Sequence, residues 1–178
     1  PALGREGPVC PYTEPSLQRG LFWLAFHPGA DPPPGEVSAV VLRYRDWFLE
    51  LEPVEEREGE YGAILLLFPQ LDPARAPLVI DRVQSALKSS FVAAGLMIGQ
   101  FHAGCGEPAL WNPDFRPLRS PVPLLVVRRM VRTDAAFLTR RAEWLQAYLR
   151  RFGDAVPSRL RPVVREAAAA HGLRCPAP

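Results

Sequence analysis

Apolar positions in this chain follow two different periods, and the switch from one to the other sets the fold. Leu21 to His27 (LFWLAFH) is a short apolar run rich in aromatics, which predicts a buried strand stopped by GADPPPG. From Glu36 to Leu51 the apolar residues are Val37, Val40, Val41, Tyr44, Trp47, Phe48 and Leu51, the i, i+3, i+4, i+7 spacing of an amphipathic helix. Pro53 and the acidic EEREGE stretch end it, and the acidic stretch reads as a solvated turn. Ala63 to Phe68 (AILLLF) predicts a second buried strand. Asp72-Pro73 and Ala76-Pro77 are alternative starts for the next helix, because proline suits a first helical turn. That helix runs to about Ala94 with Ile80, Val83, Leu87 and Phe91 on one face, and Gly95 suits a left-handed terminator. Leu96 to Phe101 and Val122 to Val131 read as the third and fourth strands. Asp134 is a candidate cap for a helix carrying Phe137, Leu138, Trp144, Leu145, Tyr148, Leu149 and Phe152, and a last helix spans roughly Ser158 to His171.

The order β-α-β-α-β-β-α-α predicts an α/β (α+β) fold: one domain over residues 1–178, with a mixed β-sheet and helices packed on it. Residues 1–20 read as an N-terminal arm and residues 172–178 as a frayed tail. Trp23, Trp47 and Trp144 are expected in the core. Hydrophobic residues at 48% and charged residues at 22% suit an ordinary globular protein, and the 21 prolines predict many rigid turns. A net charge of +2 with no basic run interleaved with aromatics argues against nucleic acid. The longest apolar run, Ala63 to Pro69, is far short of the roughly 20 residues that span a bilayer. No charged-then-apolar signal opens the chain, so the expected location is cytoplasmic. Lys88 is the single lysine among 21 basic residues; a coding sequence rich in G and C explains that bias, and so does bidentate anion recognition by arginine.

Candidate chemistry gathers between the third and fourth strands, where a loop joining two core strands is much longer than connection needs. His102 follows the third strand, beside Gly99 and Gly104, and reads as a structural histidine, a general base or a metal ligand. Cys105 is a small buried hydrophobe, a thiolate ligand, or the nucleophile of a Cys/His pair oriented by Asn112 or Asp114. Arg116 and Arg119 supply two forks for carboxylates, and Trp111 and Phe115 supply flat apolar surface. An N-terminal arm folded over the same pocket would bring Cys10 or Tyr12 to it. His27 reads as a surface or core histidine and His171 as a cation at a helix C-terminus. Three cysteines without tight spacing argue against a disulfide framework or a C-x-x-C zinc site. G-x-G-x-x-G, Walker and G-x-S-x-G motifs are missing from the sequence.

The motifs GLMIGQFH and FRPLRSPVPLL closely resemble the signatures of an uncharacterised actinobacterial domain family, over about Gly4 to Phe152. More distantly, GPVCPY, GQFH and FRPLRSPVPLLVV resemble the YqcI/YcgG type of small bacterial proteins, over residues 7–27 and 96–130. Some of those are haem-dependent enzymes that oxidise nitrogen of arginine-like compounds in natural-product pathways. The resemblance implies haem as cofactor, His102 as its proximal ligand, and Arg116 and Arg119 on its propionates. Trp111, Phe115, Cys10 and Tyr12 would line the pocket. The longer loop after His102, and Ala103 where a proline is expected, depart from that pattern. The implied function is a haem-binding oxidative tailoring enzyme acting on a small amine or amino-acid-derived substrate. Two rivals stand beside it: a cofactor-free enzyme using Cys105 and His102, and a non-catalytic partner protein of a biosynthetic complex. A homodimer is compatible with each. Both enzyme readings need His102 to open onto a ligand-sized hollow with guanidinium groups nearby.

Overall fold

The computed structural model describes residues 6–51 and 59–174. Its strands are β1 (Phe22–Phe26), β2 (Ala63–Leu67), β3 (Leu96–Phe101) and β4 (Leu124–Arg129). Its helices are α1 (Thr13–Gln18), α2 (Pro34–Glu50), α3 (Arg82–Ala93), α4 (Ala142–Phe152) and α5 (Arg161–Ala170). The four strands form one mixed sheet in the order β1-β2-β4-β3, so the fold is α+β as the periodicity implied. β1 and β2 are parallel, because α2 carries the chain back across the sheet between them. β4 runs antiparallel to β2 with Leu65 opposite Val126. Met130 N donates to Gly95 O at 2.9 Å, which sets the end of β4 beside the start of β3 and makes that pair antiparallel. The C-terminal ends of β1, β2 and β3 therefore lie at one end of the sheet.

The chain groups into two compact units, Pro1–Leu87 with Ile98–Arg129, and Lys88–Met97 with Met130–Pro178. In the first unit, alternation sends Ile64, Leu66, Leu125 and Val127 to one sheet face, where they are buried with Val37, Val41 and Phe48 of α2. The opposite face carries Phe22, Leu24, Phe26, Ala63, Leu65, Leu67, Leu124 and Val126, all half-buried or exposed. The second unit is built on α4 and α5 around Leu138, Leu145, Tyr148 and Val164, each nearly fully buried.

Several expectations need correction. The N-terminal segment contains α1, a short helix that the lack of periodicity did not announce. Trp47 is 53% exposed rather than core, because the α2 stripe drawn from sequence is wider than the surface that α2 buries. Asp134 does not cap an α-helix. Its Oδ2 accepts from Val131 N at 2.8 Å within a 3-10 segment (Arg132–Phe137), and α4 starts only at Ala142. A short side chain bonding its own neighbours competes with helix propagation. Gly95 does terminate its helix as expected, at φ +74°. Pro53, most of EEREGE and Cys175 lie outside the described residues.

Candidate active site

Both parallel strands and β3 end at the same rim, and two buried histidines follow them directly. His27 comes one residue after β1 and His102 one residue after β3. In open sheets with helical crossovers, ligands are taken at the carboxyl ends of the strands, where loops and helix starts meet. His27 N bonds Leu67 O at 2.8 Å, its ring stacks on Phe68, and its Nε2 lies 3.4 Å from Glu36 Oε1. His102 is only 1% exposed, and its Nε2 lies 3.0 Å from Asp81 Oδ1.

Asp81 owes its position to an irregularity. Pro77–Asp81 is a π-helical turn that runs straight into α3. Such a turn holds one residue more than the α-helix allows, and it recurs at functional sites because it re-aims a side chain. A carboxylate only accepts hydrogen bonds, so the Asp81 contact fixes the His102 tautomer: Nε2 carries the proton and donates it. Nδ1 is buried and has no hydrogen-bond partner among the described residues. A Cβ on Gly104 would sit 3.6 Å from Nδ1, so the backbone of that turn lies close against the ring. Leaving a buried polar atom unmet costs about 1–3 kcal/mol. The turn itself is firm: Cys105 N bonds His102 O at 3.0 Å and His102 N bonds Leu118 O at 3.3 Å.

Asp81 bridges this buried ring to the surface. Its side chain is 41% exposed and lines an open groove of about 510 Å³ with Arg75, Arg82, Ser85, Pro77 and Leu78. Arg75 is tied to Asp31 at 2.8 Å. A second depression of about 300 Å³ adjoins it through Pro34 and Arg82, at the start of α2. Asp81, Arg82 and Ser85 are functional candidates that the sequence reading did not single out. Their only signal would have been a carboxylate one residue off the apolar face of a Pro-started helix.

The residues singled out from sequence are dispersed in role. Cys105 is 2% exposed, and its thiol pKa is raised: burial contributes most, and the carboxylates of Asp81 and Glu107 add to it against the Glu107 backbone and Arg119. A thiol held protonated is the opposite of an activated nucleophile. Arg116 donates to the carbonyls of Pro113 and Phe115, and Arg119 Nε to Cys105 O at 3.3 Å, so both forks brace the loop. Asn112 Oδ1 accepts from Asp114 N at 2.9 Å, closing a turn next to Trp111, which is 49% exposed. Phe115 is half-buried at the same turn. Cys10 is exposed, and Tyr12 meets Tyr61 at 6.1 Å between ring centroids.

These positions do not fit an axial haem ligand. The imidazole has no open face: one nitrogen holds Asp81 and the other is enclosed beside Gly104. The arginines expected on the propionates donate to loop carbonyls. Among the described residues no group of three His, Cys, Asp or Glu side chains is placed to hold a metal ion. Nor is any helix long and apolar enough to cross a membrane.

A family model for a domain of unknown function, DUF6875, matches residues 1–163. The chain belongs to this family. No curated protein and no solved structure matches it. The DUF6875 match takes in the whole sheet, the π-turn carrying Asp81 and the loop carrying His102. It bears out the resemblance to an uncharacterised domain family.

Proposed function

We propose that this DUF6875 domain is an acid–base enzyme of small-molecule metabolism, with Asp81 as its working carboxylate and His102 as the residue that positions it. One observation carries the reading: Asp81 Oδ1 lies 3.0 Å from a fully buried imidazole whose other nitrogen is unmet. A fold keeps such a cost where a group is needed for something other than stability. His102 Nε2–H fixes one carboxylate oxygen and its rotamer. The second oxygen and the exposed part of the side chain remain for a substrate proton in the groove.

The expected substrate is a small amine or amino-acid-derived compound. Asp81 suits an ammonium or an acidic N–H, Arg82 suits a carboxylate, and Pro77 and Leu78 offer apolar surface to the body of the molecule. Haem has no part in this reading, because His102 is already committed. A thermal-shift and calorimetric screen of the twenty amino acids and their decarboxylated amines tests it. At least one compound should raise Tm by about 2 °C or more, and Asp81→Asn should weaken its binding at least about tenfold, the loss of one charge-assisted hydrogen bond. A panel with no binder, or a binder indifferent to Asp81→Asn, removes the proposal.

A further inference from the structure

β1 is the outermost strand of the sheet, and among the described residues no strand pairs with its outer edge. Natural edges are blunted by charges, prolines or bulges. FWLAF has no charged residue and no proline. The parity of its backbone groups follows from two bonds at its ends: Ala63 N donates to Leu21 O and His27 N to Leu67 O. In a parallel ladder alternate residues serve the same neighbour, so residues 21, 23, 25 and 27 face β2. Phe22, Leu24 and Phe26 turn their N–H and C=O groups outward. Among the described residues nothing bonds to these outward groups. Leu24 and Phe26 are also 56% and 63% exposed.

We propose that β1 pairs antiparallel with β1 of a second copy of this chain, about a two-fold axis at Leu24. The geometry is self-complementary. Leu24 faces Leu24 of the partner and Phe22 faces Phe26, all as hydrogen-bonded pairs, so about six interchain N–H···O bonds form. Leu24, Phe22 and Phe26 meet their counterparts on the open face of the sheet, and Trp23 meets Ala25 of the partner on the other face, so apolar meets apolar on both. A net charge of +2 opposes association only weakly. The area sets the strength. An aromatic side chain carries roughly 150–250 Å²; with Phe26 63% and Leu24 56% exposed and Phe22 partly buried, these side chains and the strand edge can cover about 300–400 Å² per protomer. The total of about 600–800 Å² is below a standard specific interface, so the dimer is a weak, reversible one held largely by the paired strand edges.

Sedimentation velocity of the full chain between about 1 and 200 µM tests this, a range in which a weak dimer is populated. The wild type should pass from monomer to dimer. Leu24→Lys places two like charges across the axis and should abolish the dimer. Leu24→Pro removes only an outward N–H, leaving the bonds to β2 intact, and should also abolish it. Leu24→Thr keeps the strand and its edge, and should retain a dimer weakened by about tenfold or less. Circular dichroism melts check that each variant folds. A wild type that stays monomeric throughout, or a dimer that survives both Leu24→Lys and Leu24→Pro in folded protein, overturns the proposal. Capture of an extended peptide by a monomeric wild type overturns it as well.

Discussion

The two units treat buried polar atoms differently. In the second unit each one described has a partner: Tyr148 Oη donates to Arg132 O at 2.7 Å, Trp144 Nε1 to Ser89 Oγ at 2.9 Å, and Asp134 accepts from Val131 N. In the first unit two buried imidazole nitrogens, on His27 and His102, have none. Both sit at the rim where β1 and β3 end. A satisfied polar group fixes a structure, while an unmet one costs stability and points to a use. The second unit therefore reads as scaffold, and the rim of the first as the place where stability gives way to function.

The largest effect expected from this contrast is at Tyr148. Removing its hydroxyl loses the bond to the carbonyl of Arg132, an exposed residue, so Tyr148→Phe should cost about 0.5–1.5 kcal/mol in urea unfolding. The same hydroxyl predicts a pH signature. Burial first, and the Asp134 carboxylate second, push the Tyr148 pKa from 10.0 up to about 12. A raised acid pKa means that the folded state holds the proton more tightly. The associated stability is complete below pH 10 and is lost as pH rises towards 12. Absorbance titration at 295 nm should show a late phenolate step that is missing in Tyr148→Phe. A Tyr148→Phe protein as stable as wild type would dissolve the contrast.

Much of the scaffold was legible because it rests on local patterns. Runs such as AILLLF and LMIGQF are too apolar for anything but a buried strand, and the sheet contains them where the runs lie. Gly95 was readable because few other residues accept a left-handed backbone at a helix end. The site was less legible. His102 could be singled out from its place after a strand, but its partner is 21 residues away in sequence. Asp81 reaches it only through a π-turn, which no 3.6-residue period announces. The arginines of the loop looked free to bind anions because sequence does not show that loop carbonyls already occupy them. Trp47 shows a limit of the opposite kind: its spacing was right for the stripe, and the stripe was wider than the buried face.

At His102 the expected stability effect is smaller than at Tyr148 and has the other sign. Leucine is close to histidine in volume, so His102→Leu loses one hydrogen bond and removes an unmet polar atom. Asp81, being 41% exposed, turns to water. The variant should fall within about 1 kcal/mol of wild type, on the stabilised side, because the lost bond and the relieved penalty are of similar size. It should also lose binding of whichever amine or amino acid the screen identifies. Destabilisation by about 3 kcal/mol or more, the cost typical of breaking a well-satisfied buried network, would place His102 with the scaffold instead.

The smallest effect expected is an absence of reactivity at Cys105. Its thiol is 2% exposed and its pKa is raised, by burial first and by neighbouring carboxylates after that. Reactivity follows thiolate fraction and access, and both are low here. Iodoacetamide at pH 7.5 should therefore modify the exposed Cys10 and leave Cys105 untouched in the native protein, as read by peptide mass spectrometry. Denaturant should open Cys105 to the reagent. Rapid native labelling of Cys105, slowed in His102→Leu, would mean that the imidazole activates sulfur rather than positioning a carboxylate. Nε2–H holds Asp81, so the thiol proton would pass to Nδ1, and this outcome would make Asp81 the orienting group and move the working group of the rim to the thiol.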